Sequence, residues 1–344
     1  MRQANARAGN SLAWWKPALF LLVLVAGLWH VKWQPYYGKA LLAADTHGIG
    51  GSILANLGSA PLASAMDYSL LYFKAVWKAA LLGMLLGSLI QVLIPAQWLK
   101  QTLGRGAARS TLLGSLFALP GMMCTCCAAP VAAGMRKSSV SMAGALAFWL
   151  GNPLLNPATL VFMGFVLGWQ FSLIRLLAGL AIVLVVGVVV HRWCPEPAGE
   201  TQSETQDSPL QGGFWARWGQ ALWRLFWSAI PPYVLAVMLL GAAQVWLFPH
   251  GQTLGDDLGW LLAMAVAGCL FVIPTAAEIP ITQAMMSAGL GLGPALALLI
   301  TLPALSLPSL MMLRKAFPAR ALWLTTAVVL GVGLLVGTAG LLLG

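Results

Sequence analysis

Apolar runs about twenty residues long recur along the chain, and the polar positions collect between them. Residues 17 to 31 form the first run, flanked by Trp14 and Trp15 on one side and Trp29 and Trp33 on the other. Further runs lie at 70–94, 140–168, 171–191, 225–248, 290–312 and 321–343. A helix needs about 20 apolar residues to cross a hydrocarbon core of about 30 Å, so these runs predict membrane spans. Two other stretches, 111–135 and 258–289, are apolar but interrupted, the first by Pro120, Gly121 and Pro130, the second by Pro274 and Pro280. Residues 32–69 are mixed and predict an external loop with a surface helix. Residues 195–213, with Pro195, Glu196, Pro197, Glu200, Glu204 and Asp207, form the one clearly polar linker.

The two interrupted stretches hold the same place in two successive sets of units: span, interrupted stretch, span, span. A shift of 150 residues lays Pro130 on Pro280, Met135 on Met285, Ala145, Leu146 and Ala147 on Ala295, Leu296 and Ala297, and Pro153 on Pro303. Matches among Ala and Leu arise easily by chance; the prolines and the shared order of units carry the repeat. If each interrupted stretch dips in and returns, a repeat crosses the bilayer an odd number of times, and the second copy must be upside down. Charge agrees with that parity. With the N-terminus inside, the basic clusters at 100–109, 136–137, 192–224 and 314–320 all fall on the cytoplasmic side, and Asp256 and Asp257 fall outside. The expected fold is an all-α polytopic membrane protein with two inverted-topology repeats, each helix, broken re-entrant hairpin, helix, helix, plus an extra N-terminal transmembrane helix. The expected division is 1–69 for that helix and the external loop, 70–192 for the first repeat, 193–216 for a cytoplasmic linker and 217–344 for the second repeat.

Composition narrows the class. Sixty per cent of the 344 residues are apolar and 8% charged, which excludes a soluble domain. The formal net charge of +10 would suit nucleic acid, but the Lys and Arg residues sit in short clusters between apolar runs, so topology accounts for them and no nucleic-acid partner is expected. Arg2, Arg7 and Lys16 before a short apolar run would also fit a signal peptide; the tryptophans at both ends favour a retained helix. No G-x-x-x-x-G-K-[ST] run cradles phosphates, which argues against an ATP-driven pump. The expectation is a multi-pass protein of the bacterial inner membrane, without enzymatic activity or cofactor. Its expected partners are the lipid bilayer, a small-molecule or metalloid substrate and protons, with dimerisation left open.

The breaks carry the chemistry. Proline cannot donate a backbone hydrogen bond and glycine weakens helix, so broken backbone at membrane depth is tolerated only where protein or a polar cavity satisfies it. The first break brings Cys124, Thr125, Cys126 and Cys127 between Pro120 and Pro130. Three thiols there are soft donors suited to thiophilic cations or As(III)-type centres, so Cys124, Cys126 and Cys127 are also candidate metal ligands; the alternative is that they pack as small hydrophobes. Near the second break stand Thr275, Glu278, Thr282 and Gln283. Glu278 is the only acidic residue in an apolar region of the second half, and a carboxylate there must be protonated, paired or hydrated. Asn152 and Asn156, each before a proline in the next span, either line a pathway or satisfy carbonyls freed by the prolines; Ser306 stands in the corresponding place of the second half. His30, His47, His191 and His250 show no metal-ligand spacing.

Residues 119–161, with Cys124-Thr125-Cys126-Cys127, Pro130, Gly134, Ser141, Ala145 to Phe148 and Asn152-Pro153-Leu154-Leu155-Asn156-Pro157, resemble the predicted-permease family that includes ArsP. The segment 273–313, with Glu278-Ile279-Pro280 and Pro303-Ala304-Leu305-Ser306-Leu307-Pro308-Ser309, resembles the same family. The resemblance implies export of trivalent organoarsenicals, with Cys124 and Cys126 in the place of the family's cysteine pair and Cys127 as an addition. A rival class is a membrane thiol oxidoreductase of the DsbD or CcdA type, since Cys124 and Cys127 form C-x-x-C and Cys269 lies before the second break.

Overall fold

The computed structural model describes residues 15–46, 61–103, 106–195, 212–247 and 255–343; Arg2, Arg7, Trp14 and most of the polar linker lie outside the described residues. Every element among the described residues is helical. α1 (Trp15–Leu28) passes through a π-helical turn (Trp29–Trp33) directly into α2 (Gln34–Thr46), so this part of the expected external segment is helical, and residues 47–60 of it lie outside the described residues. Next come the long α3 (Pro61–Leu93) and the short α4 (Ala96–Leu103). α5 (Ala107–Ala118) and α6 (Thr125–Lys137) flank the first break, α7 (Met142–Leu154) and α8 (Pro157–Val166) make one interrupted span, and α9 (Trp169–Trp193) follows. Beyond the linker stand α10 (Phe214–Leu247), then α11 (Leu258–Leu270) and α12 (Glu278–Ser287) around the second break. α13 (Leu292–Ala304) with α14 (Leu307–Leu313), and finally α15 (Ala319–Leu343), complete the chain. Seven of these spans among the described residues are long and apolar enough to cross a membrane. α5, α6 and α11 to α14 are each 13 residues or fewer. At 1.5 Å per residue none reaches across about 30 Å alone.

Helix ends follow from local chemistry. The Ser141 hydroxyl accepts a hydrogen bond from Gly144 N and starts α7. Asn156 caps α8 by accepting from the amides of Ala158 and Thr159, with Pro157 in the first helical position, where its missing donor costs nothing. All of α7 and nearly all of α13 are buried, which suits helices that are apolar all round. They form the centre: α5 and α9 pack on α7, α11 and α15 pack on α13, and α3 pairs with α10 along the outside.

Small residues let the backbones touch. In the α3–α6 contact, a Cβ at Gly83 would strike the carbonyl of Cys127, one at Gly87 the carbonyl of Pro130, and one at Gly134 the carbonyl of Gly87. Gly83 and Gly87 are four apart, the spacing that membrane helices use for close approach. This contact presses the cysteine-bearing helix onto α3. Gly87→Leu should therefore lower stability in detergent by about 1–3 kcal/mol, the usual range for overpacking. Gly331→Ala, in α15 with nothing within 4 Å of the new methyl, should raise it by about 0.5–1 kcal/mol. Thermal unfolding of the two purified variants checks both signs.

Candidate functional site

The first break, residues 119–124, leaves the α-helical ladder with Met122 at φ 47, a left-handed conformation unusual for a residue with a side chain. Side chains from other helices satisfy its backbone. Trp33 Nε1 donates to the Pro120 carbonyl at 2.8 Å, and Asn152 Oδ1 accepts from Met123 N at 3.3 Å. The Asn152 amide nitrogen in turn donates to the Phe148 carbonyl at 2.9 Å. Trp149 Nε1 donates to the Thr125 carbonyl at 3.0 Å. Trp33 is thus engaged with the break, where the sequence placed it at a headgroup layer. Asn152 serves backbone groups, and so does Asn156 through its capping oxygen, although Asn156 Nδ2 is buried with no partner among the described residues.

Three buried thiols open α6. The Cys124 thiol donates to Cys127 Sγ at 3.0 Å, one helical turn on, and all five cysteines are free. Cys126 lies between two hydroxyls: Tyr72 donates to its sulfur at 3.4 Å and Ser306 Oγ stands 3.6 Å away. Tyr233 from α10 donates to Tyr72 from α3 at 3.0 Å, so a polar chain runs from α10 through α3 to the thiols. Thr125 and Ser306 share a hydrogen bond at 3.3 Å, and Ser306 donates to Ser309 at 2.9 Å. The start of α6 therefore meets the interruption between α13 and α14.

The second break, residues 271–277, contains Ala276 at φ 70. Tyr68 donates to the Val272 carbonyl, and Lys32 Nζ donates to Thr275 Oγ1 at 3.2 Å. Glu278, 2% exposed, pairs with Arg175 of α9 at 2.6 Å, and Arg175 Nη2 also donates to the Pro153 carbonyl at 2.8 Å. Of the three states open to this carboxylate, pairing is the one realised. Between the two breaks lies a cavity of about 10 Å³, room for roughly one water, walled by Cys124, Thr125, Pro153, Thr275, Glu278 and Pro303.

Most expected site residues come together, and a few do not. Cys124 bonds to Cys127, Thr125 and Cys126 both approach Ser306, and Cys124 and Thr125 face Glu278 across the cavity. Thr282 is buried one turn beyond Glu278 on α12, its hydroxyl without a partner among the described residues. Gln283 is exposed: adjacent residues of a helix point about 100° apart, so burying Thr282 turns Gln283 outward. The metal set expected of Cys124, Cys126 and Cys127 is not assembled, since among the described residues no group of three His, Cys, Asp or Glu side chains is disposed to hold an ion. The thiols instead bond to one another and to hydroxyls. Among the described residues no hydrogen bond or disulfide joins Cys269 to the cluster, so nothing supports a thiol-disulfide relay.

Sequence reasoning missed Arg175, Lys32, Tyr72 and Tyr233. Arg175 had a signal, for it is the only Lys, Arg, Asp or Glu in the span 171–191. The tyrosines and Lys32 had none, because tyrosine is common in apolar helices and Lys32 sits at the edge of its run.

Seven apolar spans among the described residues, around a buried polar centre built on two helix breaks, define a multi-pass membrane protein. The chain belongs to the predicted-permease family that includes ArsP: the family model, described as "Predicted permease", matches residues 63–340. It is 65% identical over 342 residues to UPF0718 protein YraQ of Escherichia coli (strain K12), covering 99% of both chains. It is 21% identical over 268 residues to UPF0718 protein MJ0584 of Methanocaldococcus jannaschii, covering 59% of this chain and 72% of that one. No solved structure matches.

Breaking a buried ion pair from one side strands a charge, at a cost of about 3–5 kcal/mol, while replacing both members with apolar residues is often neutral. Glu278→Gln or Arg175→Met alone should therefore lower thermal stability strongly. The double variant Arg175→Met, Glu278→Leu should recover most of it. A double-mutant cycle by thermal unfolding in detergent reads the coupling directly.

Proposed function

We propose that the protein is a secondary permease that moves a small thiophilic solute, a trivalent arsenical-like species or another soft metal or sulfur species, across the bacterial inner membrane by alternating access. The observation that carries this reading is that Cys124, Thr125 and the paired Glu278 line one small cavity between the breaks, with Cys126, Cys127 and Ser306 hydrogen-bonded around its first wall. Polar groups and broken backbone are costly in a membrane interior, and substrate sites of transporters are their usual place. A cavity with room for only a water fits an occluded or empty state, so the surrounding helices must move apart to admit the solute. In the proposed cycle the Arg175–Glu278 pair joins the first half to the second. Protonation of Glu278 would release that pair and couple movement to the proton gradient.

The proposed architecture is two inverted repeats, 70–192 and 217–344, joined by a cytoplasmic linker at 193–216 and preceded by an N-terminal unit at 1–69. Helix bounds favour it: α7 starts at Met142 and α13 at Leu292, α9 runs Trp169–Trp193 and α15 runs Ala319–Leu343, each pair offset by 150. So do the interrupted stretches. Ser141 N donates to the Leu103 carbonyl at 3.2 Å and Gly291 N to the Gly255 carbonyl at 3.3 Å, which puts the chain before each stretch beside the chain after it, as in a hairpin that enters and returns. α3 and α10 run antiparallel, since Trp218 donates to Ser88 while Tyr233 donates to Tyr72. Arg136 lies 5.8 Å over the Phe317 ring and Trp15 contacts Phe214, which pairs segments that the charge rule assigns to the cytoplasm.

Two measurements test the proposal. Single cysteines placed at Arg136 and Asp256 in a cysteine-free background should be labelled from opposite sides of the membrane; labelling from one side rules out the inversion. In a sensitised host, arsenite, a trivalent methylarsenical, other soft metals and small sulfur compounds should reveal one class whose toxicity or uptake changes with expression. That change should vanish in the triple variant Cys124→Ser, Cys126→Ser, Cys127→Ser. A triple variant with full effect removes the thiols from the mechanism.

A further inference from the structure

Lys32 lies outside residues 63–340, the part of the chain shared with the family model, yet it donates to Thr275, which lines the cavity of the candidate site. The π-helical turn Trp29–Trp33 places it there: within this turn Lys32 is buried, 5% exposed, while Trp29 faces outward. Turns of this kind recur at functional positions, because the extra residue swings a side chain off the regular helical face. The turn is pinned to both breaks, through Trp33 on the Pro120 carbonyl at 2.8 Å and Lys32 on Thr275 Oγ1 at 3.2 Å. The Tyr36 ring lies 5.5 Å from the ammonium on the next turn.

The charges do not balance. Of the acidic residues among the described ones, Asp45, Asp67, Asp256 and Asp257 are exposed and only Glu278 is buried. Glu278 is held by Arg175 at 2.6 Å. Lys32 is a second buried cation whose partners, the Thr275 hydroxyl and the Tyr36 side chain, include no carboxylate, and an ammonium has three donors to satisfy. With the thiols neutral, Lys32 and Arg175 against Glu278 leave one positive charge over. The cavity wall carries the Cys124 thiol and the hydroxyls of Thr125 and Thr275, groups able to donate, with Ser306 behind Thr125 at 3.3 Å. The first turns of α6 and α12 also open at the breaks with no side chain capping their amides.

We propose that Lys32 completes the site, and that the solute is a small sulfur-containing anion rather than a metal cation or an uncharged arsenical. This rests on the permease reading above and narrows its substrate class. In that role the N-terminal helix is part of the selectivity apparatus: its ammonium supplies the counter-charge, and the thiols and hydroxyls meet the anion's polarisable and oxygen atoms.

The test uses the full chain purified in detergent, with thermal unfolding read against two probes, thiosulfate and uncharged, thiol-directed phenylarsine oxide. A ligand that binds only the folded state raises the midpoint with concentration. Thiosulfate should stabilise the wild type and Lys32→Arg, with apparent affinity at least tenfold weaker in Lys32→Met. Phenylarsine oxide should stabilise all three alike, which also verifies that Lys32→Met is folded. The proposal is overturned if thiosulfate leaves the wild type unmoved, or acts equally on Lys32→Met. It is equally overturned if Lys32→Met slows iodoacetamide alkylation of the cysteine cluster while thiosulfate does not bind, for Lys32 would then be the counter-ion of a thiolate. Phenylarsine oxide binding that persists without thiosulfate binding leaves the thiol site standing and removes only the anion. The reverse result removes the thiol role and leaves the anion.

Discussion

Backbone amides and carbonyls that leave a helix inside a membrane must find partners within the protein, and this constraint organises the centre of the molecule. At the two breaks, around Pro120 and Pro274, side chains from elsewhere meet several of these groups, Trp33, Asn152 and Trp149 at the first and Tyr68 at the second, and Lys32 ties to the Thr275 side chain beside it. Each of these partners comes from a different helix or turn than the one it serves. The breaks therefore act as ties that hold α1, α3 and α7 in register, and the same ties keep the cysteines and Glu278 at the cavity.

Packing supplies the second condition. Membrane helices have no aqueous driving force between them, so close backbone approach does the work, and the glycines of α3 and α6 allow it. Because α6 carries the three thiols at its first turn, a contact made for packing also sets where the sulfurs stand relative to Tyr72 and Ser306. The buried Arg175–Glu278 pair is of another kind. Buried pairs are weak sources of stability, since desolvation offsets most of their attraction. Its placement between α9 and the second break suits a junction between the halves better than a scaffold element.

The family relation and the site geometry bear on different questions. The close match to UPF0718 protein YraQ and the family model establish the permease class over most of the chain. The geometry of the candidate site adds the chemistry at hand: thiols, hydroxyls and two buried cations near one carboxylate. Lys32 lies before the family-matched region, so a property of the whole family would not have drawn attention to it.

The hydrophobic pattern by itself determined the membrane class, the seven long apolar spans and the two interrupted stretches, because span length and proline chemistry are local properties. It also marked the thiols, Ser306 and Glu278, since polar atoms in an apolar run are conspicuous whatever their partners. Of the external loop with a surface helix expected over 32–69, residues 34–46 form a helix that continues the first span through a π-helical turn, a continuity that no residue type announces. That Gln283 is exposed while Thr282 is buried was not legible, because a candidate stretch does not say which helical face turns inward. What only the tertiary structure decided was pairing: Arg175 with Glu278, Lys32 with Thr275, Tyr72 with Cys126, Thr125 with Ser306. These partners lie 54 to 243 residues apart in the chain, and contacts at such separation are fixed by how whole helices pack, which no local window of sequence contains.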